Sequence, residues 1–198
     1  MIKVIIFDVD GVLINQERFS EALEREYGIS TKKTLPFFNG PFKDCLVGKA
    51  DLKEALSPYL DEWGWDKGVD ALINYWFQRE HNIDKKLVQY VQQLRSKGIL
   101  CFLATDNEKH RFAYILEEIG FAKSFDRTFA SSHLGHKKTS QDFFLKIYQQ
   151  LKKVNKKEIL FVDDDMENIK CAKDFGIHAE FYTTLSNFKK KFLLLNKG

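Results

Sequence analysis

Five short apolar runs, each closing on a polar residue, recur along the chain: KVIIFD (3–8), ILCFLAT (99–105), RTFAS (127–131), EILFVD (158–163) and AEFYT (179–183). Unbroken rather than alternating hydrophobicity marks strands covered on both faces, as in a parallel sheet. Between the runs lie amphipathic stretches with helical spacing, KKLVQYVQQLRSKG (85–98), KHRFAYILEEIGF (109–121), SQDFFLKIYQQLKKV (140–154) and MENIKCAKDFG (166–176). Gly98, Gly120 and Gly176 stand where helix C-caps belong. Alternation of this kind implies a doubly wound α/β sheet with right-handed crossovers. The functional crevice of such a sheet lies outside the carboxyl ends of its strands, where Asp8, Thr105 and Asp163 fall.

Residues 16–80 break the alternation. No buried strand is legible there, and Pro36, NGP (39–41) and GWDKG (64–68) divide the stretch into several short helices. The segment reads as a helical insertion after the first strand, leaving residues 1–15 and 81–198 as the α/β core. Phe37, Phe38, Trp63, Trp65, Tyr75 and Trp76 are expected to form the insertion's own core, given the area each must bury.

The chain has 198 residues, 44% hydrophobic and 30% charged, enough for one folded domain with a modest insertion. A net charge of +3 gives no argument for nucleic acid, and Lys152, Lys153, Lys156 and Lys157 read as a solvated face. Cys45, Cys101 and Cys171 are far apart, which suggests neither a zinc site nor a disulfide framework. The apolar stretch before Asp8 is too short for a signal-peptide core, and no run approaches the roughly 18 apolar residues of a membrane span. A cytoplasmic protein with no membrane partner is expected, monomeric or homodimeric.

Two carboxylates at one strand end, Asp8 and Asp10, would ordinarily repel. They are tolerable if a divalent cation neutralises them, or if one holds a proton and the two take different chemical roles. Gly11 lets the chain turn sharply past them. Taken alone, the pair also suits a strand end followed by an Asp-Gly turn. A second acidic cluster, Asp163, Asp164 and Asp165, closes another strand, and oxygen-only donors of this type favour Mg²⁺. Thr105 adds a hydroxyl at a strand end, and Lys137 and Lys138 add ammonium groups just before a helix. Hydroxyl, ammonium and metal together are what a dianionic phosphate requires.

The ordered combination resembles the haloacid dehalogenase superfamily of aspartate-nucleophile hydrolases. Four places carry the likeness: DVDGV at 8–12, Thr105, the lysine of KKTSQDFF and the acids of VDDDMEN. The resemblance spans nearly the whole chain and implies a three-layer, Rossmann-like α/β core whose inserted helices form a cap domain. It further implies Asp8 as nucleophile, Asp10 as general acid and base, and Thr105 and Lys138 as holders of the phosphate oxygens. Mg²⁺ would be held by the Asp8 carboxylate, the Asp10 backbone carbonyl and Asp164, with Asp163 and Asn168 orienting these groups. The expected activity is Mg²⁺-dependent hydrolysis of a small phosphorylated metabolite through an aspartyl-phosphate.

Several positions depart from the family pattern. Asp106 follows Thr105 where an asparagine is common, so either Asp106 points away or Asn107 takes its place at the substrate. Lys138 is followed by Thr139 rather than proline, and Lys137 competes for its role; Lys138 is favoured because Phe144 then falls where the family helix places a phenylalanine. An acid at position 10 disfavours dehalogenation, since a halide leaves without a proton. A sugar phosphomutase and a non-catalytic, receiver-like module remain alternatives. Asn15, Arg18, Lys43, Lys49 and Arg79 are the insertion's candidates for substrate choice.

Overall fold

The computed structural model describes residues 1–15 and 17–196; the expected boundary at Gln16 and the last two residues lie outside the described residues. Five strands, β1 (Val4–Phe7), β2 (Leu100–Thr105), β3 (Arg127–Ala130), β4 (Ile159–Asp163) and β5 (His178–Phe181), form one sheet in the order β3-β2-β1-β4-β5. Every pairing is parallel. β1 lies at the centre, with Phe7 in register with Leu103 on one side and Val162 on the other. The doubly wound fold expected from the sequence is the one observed.

Side chains of the central strands alternate between two apolar clusters, one on each face. Ile5, Phe7, Cys101, Leu103, Leu160 and Val162 point to one cluster; Val4, Ile6, Phe102, Ala104, Ile159 and Phe161 point to the other. The first is covered by α7 (Lys85–Ser96), α8 (Lys109–Glu117), α9 (Phe121–Ser124) and α13 (Leu185–Asn196). The second is covered by α11 (Gln141–Tyr148) and α12 (Met166–Phe175), while α10 (Ser131–Leu134) follows β3. Three layers result.

Helix ends differ from the sequence reading in places. α8 stops at Glu117, and Gly120 (φ 83°) precedes a separate short helix rather than capping the 109–121 segment. The 140–154 segment is helical only over Gln141–Tyr148. Gly98 and Gly176 do turn the chain with positive φ after α7 and α12. α13, not expected from the sequence pattern, docks through Phe188 and Phe192, one turn apart, with Phe188 edge-on to Phe7 at 5.6 Å.

Between β1 and α7 lie α1 (Phe19–Tyr27), α2 (Thr31–Asn39), α3 (Phe42–Leu46), α4 (Leu52–Leu56), α5 (Leu60–Trp63) and α6 (Val69–Arg79). They share an apolar cluster of their own: Phe37, Trp63, Trp65 and Trp76 are buried in it, and Phe38 and Tyr75 pack against it. Trp63 Nε1 donates to the Lys33 carbonyl at 3.1 Å, and Phe19 stacks on Trp76 at 4.6 Å. Pro36 does not divide this region: it lies inside α2, where the residue losing its amide partner, Lys32, is exposed. The two connections to the sheet domain pair with each other, Asn15 N–H donating to Asn82 O at 2.8 Å and Asp84 N–H to Leu13 O at 2.9 Å.

Candidate active site

The central position of β1 decides the site. Asp8 follows its last residue and donates its N–H to Val162 O at 2.9 Å, so its carboxyl emerges beside Asp163 at the end of β4. Both acids are buried, and Lys138 is buried with them. Lys138 Nζ lies 2.5 Å from Asp8 Oδ1 and 2.8 Å from Asp163 Oδ2. Asp163 is fully engaged: Oδ1 also accepts from the Asp165 N–H at 2.8 Å, and Asn168 Nδ2 donates to both oxygens at 3.2 and 3.3 Å. Asp163 and Asn168 thus orient the lysine and the loop around it.

Burial pushes the Asp8 carboxyl well above the usual carboxylate range, with Lys138 opposing and Asp163 and Asp10 reinforcing the rise. Burial alone would drive the proton off Lys138, but Asp8, Asp163 and Asp106 outweigh it and hold the ammonium charged, its pKa raised above the ordinary value. The centre is therefore a desolvated cation set among carboxylates.

Asn107 joins the next two groups, donating from Nδ2 to Asp10 Oδ2 at 2.6 Å and to Thr105 Oγ1 at 2.7 Å. Asp106 does not point away from the site: its carboxylate accepts the Lys138 N–H at 3.0 Å and lines the same cavity. Burial raises its pKa, which lessens the charge objection to an acid there. Gly11 has φ 81°, and a Cβ on it would come within 1.9 Å of Asp164 Oδ2. The turn therefore needs glycine both for its backbone and to admit the Asp164 carboxylate. Oxygens of Asp8, Asp163 and Asp164 lie within 4.8 Å of one another, a donor set able to hold a cation. The trio includes Asp163, expected only to orient the ligands, and not the Asp10 carboxylate.

Asp8, Asp10, Thr105, Asp106, Lys138, Asp164, Asp165 and Asn168 line one cavity of about 270 Å³. Lys137 is not among them. Asn15, Lys43 and Lys49 are exposed and line no part of it; Arg79 is bound to Glu26. Arg18 instead borders a separate hollow of about 170 Å³ with Phe19, Phe38, Trp76 and Glu80. Sequence reasoning missed Arg111 and Glu80. Arg111 is buried in the first turn of α8, with Nη2 at 3.9 Å from Asp10 Oδ1 and 3.7 Å from Glu80 Oε2. In the sequence it looks like any polar residue of an amphipathic helix, and only the fold brings it to Asp10.

A doubly wound sheet bearing an acid-rich, lysine-centred crevice at its strand ends is the architecture of a class of α/β hydrolases. Residues 2–176 match the model of the haloacid dehalogenase-like hydrolases, and the chain belongs to that family: it is a hydrolase. Its structure is similar to that of a predicted HAD-like family hydrolase from Porphyromonas gingivalis, with TM-score 0.82 and 21% identity over 100% of this chain and 99% of that one. It is also similar to a HAD family enzyme from Bacteroides thetaiotaomicron in complex with magnesium and inorganic phosphate (TM-score 0.80, 19% identity, 95% and 99% covered). An L-2-haloacid dehalogenase from Xanthobacter autotrophicus is a more distant likeness, with TM-score 0.67 and 20% identity over 98% of this chain and 83% of that one. No curated protein sequence matches the chain significantly.

Proposed function

We propose that the protein is a Mg²⁺-dependent phosphomonoesterase acting on a small phosphorylated metabolite. The observation that carries the reading is the single cavity in which Asp8, Asp10, Thr105, Lys138 and Asp164 converge. In the first step an Asp8 carboxylate oxygen attacks phosphorus, the bond to the leaving oxygen breaks, and Asp10 gives that oxygen a proton. In the second, Asp10 takes a proton from water as the water attacks the aspartyl-phosphate, which releases inorganic phosphate and restores Asp8. Lys138 and Thr105 hold the phosphate oxygens and offset the charge of the transition state.

The room that Gly11 leaves for Asp164, and the oxygen-only donors around it, fit a magnesium ion. Asp8, Asp164 and the Asp10 backbone carbonyl would hold it. When bound, it supplies positive charge beside the phosphate and helps keep Asp8 ionised. Asp10 separates this reading from dehalogenation, where no leaving group needs a proton. The helices α1–α6 serve as a cap that meets the core through Ser131 Oγ, which donates to Leu46 O at 2.6 Å, and through Asp51, 3.0 Å from His110 Nε2. Such a cap excludes water and admits small substrates rather than folded phosphoproteins.

The test is release of inorganic phosphate from a panel of phosphorylated metabolites and p-nitrophenyl phosphate, with and without Mg²⁺. Metal-dependent release that Asp8→Asn abolishes is expected. Absence of release from every ester, with the wild-type chain folded, would overturn the proposal.

A further inference from the structure

The Asp10 carboxylate is held unevenly. Oδ2 accepts from Asn107 at 2.6 Å, whereas Oδ1 is buried and has no hydrogen bond among the described residues. The group facing that empty acceptor is the Arg111 guanidinium, Nη2 at 3.9 Å. Arg111 is itself committed to the inserted helices: Nη1 donates to Phe77 O at 3.0 Å and Nη2 to Glu80 O at 2.6 Å. These are carbonyls at the C-terminal end of α6, where the helix leaves acceptors unpaired and a cation is favoured. Phe77 and Tyr114 lie against the guanidinium, 5.4 and 5.5 Å from its carbon. Among the described residues Arg111 Nε has no partner, so the side chain keeps a donor in reserve while remaining 2% exposed.

An arginine this buried satisfies two carbonyls of the inserted helices and faces one oxygen of the candidate acid. Its position therefore depends on those helices being seated, and Asp10 feels the result. We infer that Arg111 is a positioning residue that couples seating of the α1–α6 unit to the orientation of the Asp10 carboxylate. The inference rests on the proposed proton role of Asp10. With substrate present, the 3.9 Å separation needs only a small rotation to become a charge-assisted hydrogen bond, which leaves the other face of Asp10 to the leaving oxygen.

The experiment compares phenyl phosphate, whose leaving group is basic, with p-nitrophenyl phosphate, whose leaving group departs readily, using full-length protein with Mg²⁺. Arg111→Met should lower kcat on phenyl phosphate by about tenfold or more and on the nitrophenyl ester by under about threefold, a fraction of what a general acid contributes. Arg111→Lys, which keeps the charge, should recover part of the difference. The double variant Asp10→Asn/Arg111→Met should be no slower on phenyl phosphate than Asp10→Asn alone, because the arginine acts through that carboxyl. Equal losses on both esters, or additive losses in the double variant, would reduce Arg111 to a structural tether and overturn the inference. Should Arg111→Met lack a cooperative melt, Arg111→Gln, which keeps hydrogen-bond donors but not the charge, decides by the same ratio. A folded wild-type chain that hydrolyses neither ester defeats the phosphatase reading, and this inference with it; normal wild-type turnover with a flat ratio defeats this inference alone.

Discussion

At the scale of single residues, the most telling group is an acid at the rim rather than in the crevice. Burial pushes the Glu80 carboxyl from 4.5 up to about 7, with Arg111 opposing the rise. Its folded pKa lies above the free value, so the native chain keeps a proton that the unfolded chain has already released. The stabilising contribution is whole below about pH 4.5 and is lost as pH climbs towards 7. Glu80→Gln removes this dependence, and the stability difference between variant and wild type should shift by about 3 kcal/mol in the variant's favour between pH 4.5 and 8. Urea denaturation at the two pH values measures it; parallel wild-type and variant curves would refute it. Gly11→Ala is a second local prediction: the left-handed backbone and the Asp164 carboxylate in its path should cost about 1–2 kcal/mol for the conformation alone and blunt any response to magnesium. Asp8, Asp10, Asp163 and Asp164 were legible because each acid directly follows an apolar strand or sits in the turn beyond it. Glu80 and Arg111 were not, because their meaning lies in burial that only the assembled chain creates.

Among elements, legibility follows how much of a segment's pattern is its own. The five strands could be read because burial on both faces leaves an unbroken apolar run, and their order could not, because nothing in such a run names its neighbour. α13 escaped notice because its anchoring pair, Phe188 and Phe192, is separated by lysines, and its docking partner is the far-off Phe7. Pro36 misled for the opposite reason: a local helix breaker was overridden where the freed carbonyl belongs to an exposed residue. The inserted helices meet the core closely where Gly48 (φ 73°) faces the carbonyl of Ser132, which an added Cβ would approach to 2.1 Å. Gly48→Ala should therefore lower stability by roughly 2 kcal/mol from conformation and displacement together, and, with the insertion acting as a cap, slow turnover as well. Melting and phosphate release measure the two effects; an unchanged melting temperature would show that the contact gives way at no cost.

For the whole molecule, the arrangement of charge favours a divalent cation beside the buried lysine. Lys138 is one cation among Asp8, Asp106 and Asp163, and Asp164 stands on the rim with its carboxyl raised by burial and by the nearby Asp163. Burial, with the neighbouring Asp163 and Asp10, raises the Asp8 and Asp164 carboxyls above the usual carboxylate range. Magnesium binds the ionised form, so its binding must compete with protons, and the competition weakens as pH rises. Added Mg²⁺ should raise the melting temperature less at pH 5 than at pH 8. At about a hundredfold excess over Kd the gain is roughly 2.7 kcal/mol, worth several degrees in a domain of this size. Asp164→Ala should abolish the response at both pH values while leaving the chain folded, because Asp164 holds no part of either sheet-face cluster. Asn107→Ala, which alters the Asp10 and Thr105 side but none of the three clustered acids, should leave the response largely intact. Melting curves across pH 5 to 8 with millimolar Mg²⁺ decide the matter: a shift independent of pH, or one that survives in Asp164→Ala, would place the cation elsewhere on the molecule.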